Sequence, residues 1–458
     1  MRFFPSPTTP LDRARLKAFF RLLPLLFVCY VIAYIDRVNV GFAKLHMLAD
    51  VGFNEAEYGF GMGIFFVGYL LLEIPGTLLV EKWSARKWIC RIMVSWGIIA
   101  ALTAFVRTPL QFSIVRFLLG LAEAGFFPGV IVYLTHWFPR RDRTKALAWF
   151  FIGTPIAQFI GPPVSALIMG GGSVSDPTRT FLGLVGWQWV FIFWGIPAVI
   201  LGIVVLAKLT DRPAQATWLT DAERAALEAE LAREKQEDHA ASGHMTIGQA
   251  LTNPKVLLLS AAYFFVVTGN YGMELYLPSI FEDWYHLDAT KVAALVIIPP
   301  IGSLLGQILV GWNSDRTQER RWHATLPILI GATAIIVAPF TQGNVWMSVA
   351  LFTVAMTGLK AYLPAFWALP SQFMTASAAA ASIGLINSFG NLGGWVGPYV
   401  QGVVKETTKE YRYGLWFLAA SMVVSAFIIF NLGIGARKTE AAPPRASEPE
   451  AAPVPEPV

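Results

Sequence analysis

Charge is what this sequence has least of. Only 14% of its 458 residues are Asp, Glu, Lys or Arg, whereas 55% are hydrophobic and the mean hydropathy is +0.53. A soluble chain of this length carries about a quarter charged residues, so a single large water-soluble core is excluded. Cysteine is almost absent. Cys29 and Cys90 both sit in apolar runs, which rules out a disulfide framework or a cysteine-built metal cluster. Paired His/Glu metal spacing, a nucleophile elbow and a Walker loop are also missing, which argues against a membrane enzyme or an ATP-driven pump. The net charge of +5 forms no basic stripe interleaved with aromatics, so nucleic acid is not an expected partner.

What the chain does have is repeated apolar runs of about 18 residues or more, the length that crosses a bilayer as a helix. Read against their breakers, they predict an all-α membrane protein of twelve spans. These lie near 21–43, 58–80, 88–106, 110–132, 145–169, 184–207, 256–280, 290–312, 324–341, 346–369, 377–402 and 413–435. The division is a tail (1–20), a six-helix bundle (21–207), a polar linker (208–253), a second bundle (254–435) and a disordered tail (436–458). The linker contains "TDAERAALEAELAREK", where Thr220 and Glu223 have capping-box spacing ahead of a polar helix. The basic region and apolar run at the N-terminus superficially resemble a signal peptide. The run is too long and no cleavage site follows it, so it reads as an uncleaved first helix.

Lys and Arg near the span ends set orientation. Arg13, Arg15, Lys17 and Arg21 fall on the same side as Lys82, Arg86 and Lys87, as Arg140, Arg141, Arg143 and Lys145, and as Arg316, Arg320 and Arg321. The opposite loops are poorer, with Lys44, Arg107, Arg179 and Lys291, although Lys405, Lys409 and Arg412 weaken the contrast, and both termini are placed in the cytoplasm. The halves also echo each other. Glu81 and Asp315 are 234 positions apart, as are Gly68 and Gly302, and Gly161-Pro162 recurs as Gly397-Pro398 at 236. Duplication of a six-helix unit is a device of many transporters.

Charges inside the spans carry the functional signal. "YIDRVNVGF" puts Asp36, Arg37 and Asn39 in span 1, and "RFLLGLAEAGFFPG" puts Arg116 and Glu123 two turns apart on one face of span 4. Intramembrane Arg costs at least about 2.5 kcal/mol unless it faces protein or water. Arg116 and Glu123 are too far apart along one helix to pair directly, and Asp36 and Arg37 diverge by about 100°. Each therefore needs a partner on another helix, in water or in a substrate. Counting from span midpoints puts Asp36, Arg37 and Arg116 about 6–8 Å to the outer side, with Glu123 near the midplane. Two arginines at one depth suit a carboxylate, which their planar forks bind bidentately. A buried carboxyl beside them can exchange a proton.

"YIDRVNVGFAKL", "GIFFVGYLLLEIP", "RFLLGLAEAGFFPG", "YLTHWFP", "GWQWVF" and "GNLGGWVGP" together resemble the anion:cation symporter branch of the major facilitator superfamily. The likeness is nearest to bacterial permeases for tartrate, phthalate and hydroxyphenylacetate, and it runs from about Leu22 to Gly435. "GWNSDRTQERR" fits that superfamily's loop signature, G-x-x-x-D-R followed by a basic pair.

The resemblance implies the two-repeat, twelve-helix fold and an inner-membrane symporter moving an organic carboxylate with protons, without a cofactor or metal. Arg37 and Arg116 would contact the anion, with Asn39 and Tyr69 supporting the site by hydrogen bonding and Gln158 a further contact, while Asp36 and Glu123 would exchange the coupling proton. Glu81, Arg86, Asp315 and Arg316 would latch helices on the cytoplasmic side. Asn270 occupies the repeat-equivalent position of Asp36, and Lys360 and Glu274 are charges that such permeases usually lack. Depth counting puts Glu274 about 9 Å outward and Lys360 about 4 Å inward, which makes direct contact between them awkward. Lys360 is expected to meet Glu123 or a second anionic group on the substrate, with Glu274 left as a partner only if the helix ends shift. A monomer is expected. The competing readings are a proton-coupled exporter, for which Gly153, Gly161 and Pro162 in span 5 are a partial motif, and a non-transporting metabolite receptor.

Overall fold

A computed structural model describes residues 8–170, 181–241, 252–373 and 376–435. The tail 436–458, the end of the linker and Arg179 lie outside the described residues. Helices dominate the described chain, some of them broken once. In chain order they are α1 (Pro10–Val51), α2 (Glu55–Lys82), α3 (Ala85–Phe105), α4 (Pro109–Trp137), α5 (Arg140–Ile168) and α6 (Gly186–Lys208). A polar linker helix (Asp221–Ala241) follows. Then come α7 (Pro254–Tyr285), α8 (Ala289–Thr317), α9 (Arg321–Thr341), α10 (Val345–Trp367), α11 (Ala376–Asn391 with Gly393–Thr408) and α12 (Tyr411–Asn431). Ten of them are long and apolar enough to cross a membrane, and α2 and α11 occupy the second and eleventh expected positions.

Within the expected tail 1–20, α1 is already helical from Pro10. Thr9 caps it, accepting from the Asp12 backbone N–H at 3.1 Å and donating to the Asp12 carboxylate at 2.8 Å, and Pro10 supplies a preset first turn. Ala14, Ala18 and Phe19 in this extension are buried. At its other end α1 stops at Gly52, whose φ of 76° suits a residue without a Cβ.

Small residues set the helix spacing. A Cβ on Gly120 of α4 would lie 2.0 Å from the Phe65 carbonyl oxygen of α2, and one on Gly68 would lie 2.2 Å from that of Phe117. Backbones that meet this closely gain van der Waals contact, the main force between helices in lipid. Gly302, the repeat equivalent of Gly68, faces Thr353 and Thr357 of α10 in the same way. Gly61 and Gly63 pack on Phe112 and Trp395, as close-packing positions should.

The break in α4 positions the site. Glu123 ends its first segment, and Gly125 turns the chain at φ 83° before the second. Within the protein, such a break is tolerated because side chains and neighbouring helices re-satisfy the freed backbone groups. The linker helix packs beside α1, and the face on which it lies is called the linker face below. The turn at Gly52 lies on the far face.

Candidate functional site

Between α1, α4 and α7 the expected charges come together. Arg37 donates through Nη2 to Oε1 of Glu123 and through Nη1 to the Tyr271 hydroxyl at 3.4 Å. Its guanidinium also lies over the rings of Phe65 and Tyr69, at 5.5 and 5.4 Å. Tyr69 thus supports Arg37 by its face, where the sequence suggested a hydrogen bond.

Asp36 points away from Arg37, as adjacent positions on a helix must. It accepts from the Trp96 indole at 2.6 Å and from Asn39 at 3.3 Å, and it is 1% exposed. Arg116 is equally buried, sits over Phe65 at 5.1 Å, and lies within electrostatic reach of Asp36, Glu123 and Arg37. Its Nε and Nη1 have no hydrogen-bond partner among the described residues. Arg37 Nε and Glu123 Oε2 are likewise unmatched. Buried guanidinium donors without acceptors are costly. Their arrangement fits an anion with oxygens to share.

A second cluster forms around Glu274 of α7. Its Oε1 accepts from Tyr34 of α1 at 2.8 Å and from Gln158 of α5, and its Oε2 accepts from Asn270 at 3.2 Å and from Lys360 of α10 at 3.3 Å. The expectation that Glu274 and Lys360 sit too far apart in depth to meet is overturned. The Glu274–Lys360 contact is made, and Glu274, not Glu123, is the acid that Lys360 meets. Counting along helix axes missed it because the long lysine stem and the glutamate stem cover an offset that exists only between backbones. Gln158 and Asn270 join this cluster and not the arginine pair.

Sequence reasoning missed two further residues. Trp96, which holds Asp36, looks like any apolar-run aromatic. Glu73 is 4% exposed and accepts from Asn387 and Ser388 of α11, both at 2.7 Å, linking the halves toward the linker face. An acid inside "YLLLEIPG" was the available signal.

Of the expected latch residues, Arg86 and Asp315 each meet a partner beyond their own helix. Arg86 meets Asp211, beyond α6, at 3.4 Å through its side chain and at 2.9 Å through its backbone N–H. Asp315 pairs with Arg320 at 2.6 Å, joining the end of α8 to the start of α9, while Arg316 lies over Trp312. Nothing is described of the Glu81 side chain.

With this geometry in place, comparison with known proteins is decisive on family. Residues 26–398 match the model of the Major Facilitator Superfamily. The chain belongs to that superfamily. A putative tartrate transporter of Agrobacterium vitis is 40% identical over 416 residues, covering 91% of this chain and 90% of that protein. A quinolone resistance transporter of Acinetobacter baumannii is 39% identical over 411 residues, covering 90% and 93%. The fold matches the crystal structure of a bacterial homologue of the human lysosomal transporter Spinster with a TM-score of 0.71, at 16% identity, over 91% of this chain and 97% of that one. This major facilitator chain is a multi-pass membrane transporter of a small organic solute, and not an enzyme.

Proposed function

We propose that the protein is a monomeric inner-membrane symporter that takes up an organic carboxylate with protons, the linker face and both termini being cytoplasmic. The observation that carries this reading is Arg116, fully buried with Nε and Nη1 unmatched beside the Arg37–Glu123 pair. A substrate carboxylate would bridge the two guanidinium groups, Arg116 by its free donors and Arg37 by its free Nε. Glu123 competes for Arg37, so protonating Glu123 releases Arg37 to the substrate. The proton thereby favours substrate binding and substrate favours the proton, a reciprocal linkage. Asp36, held by Trp96 and Asn39, supplies a counter-charge for Arg116 and a second protonatable site. No cofactor enters the scheme.

Alternating access requires the contacts between halves to break in turn. They lie at three levels: Lys44 with Ser279 and Tyr411 at the far face, Tyr34 and Gln158 with Glu274 centrally, and Glu73 with Asn387 and Ser388 toward the linker face.

The test is uptake of labelled carboxylates by proteoliposomes under an imposed inward proton gradient, with Arg116→Lys beside the wild type. The lysine keeps the charge and loses the fork, and the loss expected is about ten- to a hundred-fold in apparent affinity. Near wild-type affinity in the variant would count against direct carboxylate binding. A second reading, proton-driven export, is favoured by the quinolone resistance relative. Substrate-stimulated efflux from loaded vesicles against a gradient, with no uptake, would select it.

A further inference from the structure

The Glu274 cluster remains unexplained by a carboxylate held between Arg37 and Arg116. Glu274 and Lys360 have side chains only 6% and 15% exposed. Both are charges whose burial needs a reason. An ionised carboxylate has about four acceptor positions, and Glu274 fills them with Tyr34, Gln158, Asn270 and Lys360. Three of those donors are neutral. Removing Lys360 would therefore leave Glu274 hydrogen-bonded on both oxygens.

Lys360 is in the opposite condition. Its ammonium has three donors, and the one contact described for it is Glu274. It also lies near the arginines, since Tyr30 is within electrostatic reach of both Arg37 and Lys360. Tyr271, the hydroxyl partner of Arg37, lies within reach of Glu274. The two arginines, on the first half, and the Glu274–Lys360 pair, on the second, are thus neighbours.

We propose that Lys360 is the cation of a second anion subsite, and that Glu274 is a resident counter-ion which a second carboxylate on the substrate displaces from it. The inference rests on the arginine site taking the first carboxylate. A dicarboxylate then contacts α1 and α4 at one end and α10 at the other, spanning both halves. A monocarboxylate of the same length contacts one half only and leaves the Glu274–Lys360 pair closed. Glu274 keeps Tyr34, Gln158 and Asn270 when displaced, so both of its oxygens stay hydrogen-bonded after the lysine changes partner.

The probes are tartrate and threonate, which differ by replacement of one carboxylate with a hydroxymethyl group. The readout is the ratio of their apparent affinities in counterflow exchange with the full chain in proteoliposomes. Lys360→Met is expected to lower the tartrate-over-threonate preference about ten-fold or more, the loss of one charge-assisted contact. Glu274→Gln is expected to widen the preference, because the resident anion no longer competes. Should Lys360→Met fold poorly, the double variant with Glu274→Gln leaves the pair neutral and is expected to show the same narrowed ratio. A ratio unchanged by Lys360→Met, or narrowed by Glu274→Gln, overturns the second subsite and leaves a structural pair. Arg116→Lys separates the two readings. If it weakens both probes alike while Lys360→Met leaves their ratio unchanged, only the second subsite falls. A wild type that takes neither probe removes both readings.

Discussion

Lys44 of α1 and Glu55 of α2 form an ion pair of 2.7 Å across the Gly52 turn, with the lysine side chain 3% exposed. The same ammonium reaches Ser279 of α7 and Tyr411 of α12, each at 3.3 Å, and lies 4.3 Å from the centre of the Tyr276 ring. The Glu55 backbone N–H donates in turn to Glu406 of α11 at 3.0 Å. One buried cation therefore ties the first half to the second at the far face, where the sequence suggested only a loop lysine.

Lys44→Met is expected to loosen this face. Removing one member of a buried pair typically costs about 3–5 kcal/mol, and here the loss falls on contacts that hold the halves together. Labelling of a cysteine placed at Ser279 by a membrane-impermeant maleimide should rise in the Lys44→Met background. Equal labelling rates would show that the pair does not hold the far face closed.

The packing of α2 on α4 makes a sharper stability prediction. Gly120→Ala drives a Cβ into the Phe65 carbonyl, a backbone atom that cannot rotate away. A loss of about 1–3 kcal/mol is expected, read as a lower Tm of the purified protein. Gly343→Ala is the control, since nothing lies within 4 Å of its added Cβ. Similar Tm values for the two variants would contradict the close approach.

Much of this was legible in the sequence, and the reason is the solvent. Lipid forces each span to be apolar and helical, so span positions and the duplication at Gly68 and Gly302 could be read from composition and spacing alone. Charged residues stood out against that background, which singled out Asp36, Arg37, Arg116 and Glu123. Which of them pair was not legible. Arg37 and Glu123 are 86 positions apart, and helix rotation and side-chain reach decide their meeting. Depth counting failed for Glu274 and Lys360 for the same reason, and Glu73 was passed over because its partners, Asn387 and Ser388, are uncharged.

The linker offers a pH test outside the membrane. Glu223 pairs with Lys17 at 2.7 Å and with Arg13 at 3.6 Å, and caps its helix through Thr220. Burial favours its neutral form, but the Lys17 and Thr220 hydrogen bonds outweigh burial and hold the carboxyl below its ordinary value. A depressed carboxyl stabilises docking above its undocked pKa, and that contribution is lost as the pH falls through the docked one. A fluorophore on the linker helix should therefore report release as the pH drops below the ordinary carboxylate range. Glu223→Gln should flatten the response. Lys17 and Arg13 are nearly half exposed, so high salt should mimic acid. A pH response that survives Glu223→Gln would assign the docking to other pairs.

The coupling proton gives the last test. Glu123 ends the first segment of α4, where the Gly125 turn follows, and its Oε1 accepts from Arg37 while Oε2 is unmatched. Glu123→Gln keeps the shape and an acceptor oxygen for Arg37 but can no longer gain or lose a proton. Arg37 is then as available to substrate as when Glu123 is protonated. Exchange of substrate across the membrane should persist, with affinity at high pH no lower than that of the wild type. Accumulation driven by a proton gradient should fail, because the site no longer carries the proton it must release. Asp36→Asn separates the two acids, since Asp36 faces Trp96 and Asn39 and not Arg37. If Glu123→Gln still accumulates substrate under a proton gradient while Asp36→Asn does not, the coupling proton belongs to Asp36, and the Arg37–Glu123 pair is a positioning contact for the arginine.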